Sequence, residues 1–398
     1  MSAERSDWDS GVAKDRLRAR ENEKTMTSVT EMMLEFAADT GLMPAREGPR
    51  RYLWTDAFAV CNFLGLWAQT GDEQYRRLAL SLVDQVHSTL GRHRQDDSRT
   101  GWLSGLGEAE GKRHPTLGGL RIGKTMEERR PEEPYDDRLE WDRDGQYYHY
   151  LTKWMHALDQ VSRTTSDPVY NAWAIELAKA AHAHFTYVPW SGGKKRMCWK
   201  MSIDLSYPLV TSMGHHDPLD GFITYTQIQA TAKKYPSTSS PDLRAEISDM
   251  EEMCRGRDWT TDDPLGLGGL LSDAYRLGQL IVREKADLRP LMHELETSSL
   301  AGLDAYQRRG FVSLPACYRL AFRELGLAIG LHAVERLIKL MGTSPARDAL
   351  MGYGPLAKTI EGFWLEPENR RVESWMEHRD INQVMLATSL APDGYLKI

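Results

Sequence analysis

Cysteine is scarce. The chain of 398 residues has four, Cys61, Cys198, Cys254 and Cys317, with no Cys-x-x-Cys pair among them. That spacing excludes a zinc ribbon, a redox dithiol and a disulfide-stapled scaffold, and leaves reduced, mostly buried thiols. No apolar run approaches the ~20 residues needed to cross a bilayer, and mean hydropathy is −0.52, so no membrane span and no membrane partner are expected. The densely charged stretch from Met1 to Lys24 lacks the apolar core and cleavage site of a secretory signal, which points to a cytoplasmic protein. Positive charge is not in excess: 50 Lys and Arg against 57 Asp and Glu give a net charge of −7. Nothing in that balance attracts a phosphate backbone, so nucleic acid is not an expected partner. Sustained period-2 alternation is missing, which argues against a large sheet. GLGEAEG and GLGLGG lack the strand and the Gly-Lys-Ser/Thr of a phosphate loop, and no Gly-x-Ser-x-Gly elbow is present.

What is present is a globular composition, 41% hydrophobic and 27% charged, arranged as helix pairs. Trp54 to Gln69 is apolar nearly all round and reads as a helix buried on most sides. Thr70, Gly71 and Asp72 supply a left-handed stop and an N-cap. The next helix, through Leu90, places Tyr75, Leu78, Ala79, Leu82, Val83 and Val86 on one face. The pattern recurs at Tyr147 to Val161, with a turn at Thr165 to Pro168 and an amphipathic partner through Phe185. Further pairs are drawn as Leu219 to Lys233 with Asp242 to Cys254, and Leu265 to Ile281 with Asp287 to Tyr306. Leu314 to Gly326 and Ile381 to Leu390 add two buried helices, and Thr27 to Asp39 one before the first.

Alternation of buried and half-buried helices is what two concentric rings require, because an inner helix touches neighbours on every side and an outer one keeps a wet face. The chain therefore reads as all-α and single-domain. A charged tail over 1–24 precedes a double ring over 25–398, and a long insertion over 91–144 is too long for an ordinary connection. The insertion carries Trp102, Tyr135 and Trp141 and reads as a lid over one end of the ring.

The acids fall at the starts of the expected inner helices: Asp56 in WTDAF, Asp142 and Asp144 in WDRDGQYYHY, Asp217 and Asp220 in HHDPLDGF, Asp262 and Asp263 in TTDDPLGLGG, and Asp380 in EHRDIN. Aspartate is a preferred N-cap, so each acid has a structural use as well. Capping does not call for tryptophan, however, and Trp54, Trp141, Tyr147, Trp199, Trp259 and Trp375 sit beside these acids. Aromatic rings for the apolar face of a pyranose, with one protonated and one ionised carboxyl group, are what glycosidic cleavage needs. A carbohydrate is thus the expected substrate, with no cofactor.

The WTDAF and DGQYYHY helix starts, the TGDEQY turn and the ring of helix pairs resemble the six-hairpin glycosidase-like superfamily of (α/α)6 toroids, from about residue 26 onward. Its members include glycoside hydrolases, sugar epimerases and polysaccharide lyases, so the resemblance implies the substrate class more firmly than the reaction. Asp144 is similar in placement to the aspartate that serves as general acid in unsaturated-uronide hydrolases. On that resemblance Asp144 is the expected acid/base and Asp217 or Asp220, with Asp220 preferred, the second carboxylate; Asp56, Asp263 and Asp380 are rivals. Trp54, Trp141, Tyr147, His149, Trp199, His215, His216, Trp375, His378 and Arg379 are expected to line the sugar site.

The histidines support a competing enzyme. His149, His215, His216 and His378 lie at inner-helix starts, and an epimerase or isomerase needs a base near neutral pKa to remove a carbon-bound proton. His215, His216 and Asp217 lack the spaced third ligand of a metal site, so no metal is expected. Arg51, Lys153 and Arg379 suit an anionic substituent, although such residues are usually solvated. Asp262 and Asp263 lack the further acid of a terpene-cyclase motif. A sugar-binding or scaffold protein, its aspartates all used as caps, is the alternative outside enzymes.

Overall fold

The computed structural model describes residues 23–235, 242–284 and 287–398. The tail expected over 1–24 lies outside them, apart from Glu23 and Lys24 at the start of the first helix. In chain order the helices are α1 (23–39), α2 (Leu53–Thr70), α3 (Glu73–Leu90), α4 (Glu108–Arg113), α5 (Asp137–Asp142), α6 (Tyr148–Thr165), α7 (Pro168–Phe185), α8 (Asp217–Lys234) and α9 (Arg244–Cys254). They continue as α10 (Pro264–Glu284), α11 (Arg289–Arg309), α12 (Ala321–Met341), α13 (Pro345–Met351), α14 (Gly354–Leu365), α15 (Glu373–Met376), α16 (Arg379–Leu390) and α17 (Asp393–Leu396).

Every residue of α2 from Leu53 to Leu64 is buried, as its continuous apolar sequence dictates. Gly71 ends it at φ 71°, its N–H donating to the Trp67 carbonyl, and the Asp72 carboxylate accepts from the Gln74 N–H to start α3. α3 buries one stripe, from Tyr75 through Leu78, Leu82 and Val86 to Leu90. The α6–α7 turn repeats the device, with Ser166 left-handed at φ 60°, Asp167 capping Val169 and Pro168 in the first turn.

The inner helices close on themselves. α2 packs on α6, α6 on α8, α8 on α10, α10 on α12, α12 on α16, and α16 returns to α2. Outside them, α3 lies on α2, α7 on α6, α9 on α8, α11 on α10 and α14 on α12. α1 completes the outer layer through Arg379 to Glu35 and Asp39, and through Asn62 to Met33. Among the described residues, six inner and six outer helices make an (α/α)6 toroid. The tightest crossing joins α10 to α12, where Gly268 lies against Gly326 and Gly330 so closely that a Cβ on Gly268 would stand 2.0 Å from the Gly326 carbonyl oxygen.

The helix expected over 314–326 is displaced. Phe311–Ser313 and Ala316–Tyr318 are 3₁₀ turns, and α12 begins only at Ala321 and runs to Met341. Pro315 explains the shift, because it disfavours helical backbone at Leu314. The insertion over 91–144 carries α4 and α5 and lies against the ring's N-terminal end, where the Leu53 N–H donates to the Ile122 carbonyl at 3.0 Å. Beta structure is confined to short pieces: Gln146–Tyr147 pairs with Lys200–Met201, which pairs with Pro208–Val210, and Thr186–Tyr187 pairs with Arg196–Met197. Among the described residues no helix is long and apolar enough to cross a membrane.

Candidate functional site at the ring mouth

The inner-helix starts converge on one mouth, each bringing polar and aromatic side chains from its first turn or the residues before it. From α2 and its approach come Tyr52 and Trp54, and from α6 Tyr147, His149 and Tyr150. The Tyr52 and Tyr150 hydroxyls are 2.6 Å apart, and the Trp54 ring lies 5.4 Å from Tyr150 and 6.0 Å from His149. Tyr147 stacks on Trp199 at 4.8 Å and on His149 at 5.5 Å, and Trp141, 45% exposed, extends the wall at 4.9 Å from Trp199. Trp54, Trp141, Tyr147, His149 and Trp199 therefore form one aromatic surface. Within it the Trp54 Nε1, Tyr147 hydroxyl and His149 Nδ1 are buried with no hydrogen-bond partner among the described residues. Buried polar atoms are normally paired, so these three have hydrogen-bonding capacity that the protein itself does not use.

His215 and His216 precede α8, their rings 4.6 Å apart. His216 Nε2 lies 2.9 Å from the Trp259 carbonyl. A carbonyl only accepts, so Nε2 carries the proton and Nδ1 the lone pair. Burial pushes His216 down to about 4, and burial together with the Lys153 charge pushes His149 down to about 3. His378 is the residue before α16 and is exposed, its ring 5.5 Å from Phe322. In a closed ring of six, α8 and α16 stand three places apart. His215 and His216 therefore precede a helix on the opposite side of the ring from the one His378 precedes.

The carboxyl groups are mostly occupied. Asp144 does not open an inner helix; it lies four residues before α6 and has no exposed surface. Arg121 reaches its Oδ2 at 2.9 Å and Arg94 at 3.5 Å, while the Gly123, Lys124 and Gly145 N–H groups donate to its Oδ1. These partners lie within the insertion or next to it, so Asp144 braces the insertion just before α6, with both of its oxygens engaged. Asp56 accepts from Arg51 and the Tyr52 N–H, and burial pushes it up to about 6 against the Arg51 charge. Asp263 caps Gly266 and pairs with Arg323 at 2.5 Å, and Asp380 pairs with Arg50 at 3.2 Å. Asp220 receives Lys153 at 2.7 Å and Thr152 at 2.5 Å, with Arg276 at 3.5 Å. Burial raises Asp220, but Lys153 and Arg276 outweigh it and hold the carboxylate below its ordinary range. Asp217 differs. Its Oδ2 is buried without a partner, and burial followed by the nearby Asp220 charge pushes it up to about 7.

Two expected lining residues lie elsewhere. Trp375 is buried against Trp364 between α14 and α15, and Arg379 turns to the outer helix α1. Sequence reasoning missed Tyr52, Tyr150, Asp273, Arg276 and Arg323. The Asp273–Arg276 pair, 2.9 Å apart at i, i+3, carries a recognisable helical spacing. Among the described residues no group of three His, Cys, Asp or Glu is arranged to hold a metal ion.

Among solved structures the chain is similar to a cellobiose 2-epimerase from Spirochaeta thermophila DSM 6192, with 12% identity over 85% of this chain and 86% of that one and a TM-score of 0.47. A cellobiose 2-epimerase from Bacillus thermoamylovorans B4167 is 9% identical over 92% of this chain and 99% of that one, with a TM-score of 0.49. No family model matches the chain, and no curated protein does.

Proposed function

We propose that the chain is a carbohydrate-active enzyme of the epimerase or isomerase type, moving a proton on the carbon beside a sugar carbonyl. The observation that carries this reading is the placement of His216 and His378 at inner-helix starts on opposite sides of the mouth. With its Nε2 proton committed to Trp259, His216 offers an unprotonated Nδ1 throughout the neutral range. In this reading Nδ1 takes the C2 proton of an open-chain aldose, the electron pair moves to the carbonyl oxygen, and His378 returns a proton to the opposite face. The unpartnered Trp54, Tyr147 and His149 atoms bind hydroxyl groups meanwhile.

The hydrolase expected from the carboxylates has one observation in its favour, the unpartnered and raised Asp217 as general acid. It lacks a free partner across the mouth, because Asp220 shares the same helical turn and is held by Lys153.

A panel of glucose, mannose, cellobiose, lactose and an aryl glucoside, followed by NMR in D₂O, separates the two. The expected result is C2 deuteration with interconversion of epimers, slowed about 100-fold or more in His216→Asn and His378→Asn, since general acid–base groups contribute ~10²–10⁴. Release of a new reducing end without deuteration, lost in Asp217→Asn, would overturn the epimerase reading.

A further inference from the structure

The far end of the ring is filled by the segment Asp393–Ile398. The His156 Nε2 bonds the Tyr395 carbonyl at 2.8 Å, Gln160 donates to the Gly394 carbonyl at 3.2 Å, and Gln279 donates to the Leu396 carbonyl at 2.9 Å while accepting from the Ile398 N–H at 3.0 Å. These side chains belong to α6 and α10, two places apart in the ring, so two inner helices grip the segment. Gly394 sits where no Cβ fits, 2.4 Å from the Cys61 carbonyl oxygen of α2. Anchored in this way, Tyr395 reaches back toward the mouth and stacks on Phe58 with ring centroids 4.3 Å apart.

The electrostatics of the Tyr395 hydroxyl come from burial and from nearby charges alone, with no side-chain hydrogen bond contributing. Burial pushes it up to about 12, with Lys153 and Arg276 pulling the other way and Asp220 and Asp273 adding to the rise. The phenol is therefore neutral and able to donate. A neutral donor between Phe58 and the Lys153–Asp220 pair suits a hydroxyl group at the buried end of a sugar.

We infer that Tyr395 is a specificity-determining residue at the inner end of the proposed sugar site, its hydroxyl bonding the innermost hydroxyl of the sugar. This rests on the proposed function of the mouth above it. The test is Tyr395→Phe, which keeps the stack on Phe58 and removes one oxygen, with glucose and cellobiose as the probes of turnover. The expected result is a KM about tenfold higher, as for loss of one hydrogen bond, with kcat within about twofold and an unchanged unfolding midpoint. Wild-type turnover with an unchanged KM in Tyr395→Phe would overturn the Tyr395 assignment alone. So would a lowered midpoint without a KM change, which is the mark of a packing role, or a kcat collapse at constant KM. Absence of turnover and deuteration in the wild type would overturn the reading of the mouth, and this inference with it.

Discussion

Replacing Asp144 by asparagine removes a charge that Arg121 and Arg94 face inside the protein, in a group with no exposed surface. Breaking a buried pair costs about 3–5 kcal/mol, so urea unfolding of Asp144→Asn is expected to show a loss of about that size. The folded fraction should keep its turnover, because both oxygens of Asp144 are engaged by Arg121, Arg94 and backbone N–H groups. Asp217 makes a pH-dependent contribution. Its native carboxyl holds its proton up to about pH 7, whereas the ordinary value is 3.8. Its stabilisation is thus fully present below pH 3.8 and lost as pH rises through 7, by at most ~4 kcal/mol at ~1.4 kcal/mol per pH unit. Measured against Asp217→Asn, the wild type should lose relative stability between pH 4 and pH 8. A constant difference would show that the native carboxyl is not raised. At this scale the sequence was only partly legible. The positions of Asp144 and Asp217 before helices were visible, but which one keeps a free oxygen depends on Arg121 and Arg94, which approach from other loops.

The α10–α12 crossing depends on Gly268. Gly268→Ala puts a methyl group 2.0 Å from the Gly326 carbonyl oxygen and must push two helices apart, whereas Gly269, next along α10, has nothing within 4 Å of its would-be Cβ. Overpacking of this kind costs about 1–3 kcal/mol or more. Alanine at an open helical glycine instead gains up to ~1 kcal/mol. Thermal unfolding of the two variants should therefore move in opposite directions, and equal shifts would refute the close crossing. Helices with plain punctuation were readable: Gly71, Asp72, Asp167 and Pro168 mark their turns by backbone chemistry that any sequence displays. The start of α12 was not, because apolar Leu314 and Leu320 suggest a helix while Pro315 forbids one there. α13 and α14 were missed as well, being short outer helices.

At the scale of the molecule, ring closure was legible as a count of buried helices alternating with amphipathic ones, but the contents of the ring were not. Lys153, Asp220, Asp273 and Arg276 come from three different helices and meet only because α6, α8 and α10 are neighbours. Tyr395 enters from the opposite end of the chain, and no local pattern marks it. The segment that carries it has a consequence for traffic. With Asp393–Ile398 lodged between inner helices at one end, a product formed as proposed leaves by the mouth through which the sugar enters. An epimer, equal in size to its precursor and differing at one carbon, competes for the same seat. Net conversion should therefore slow as product accumulates, well before the equilibrium mixture is reached.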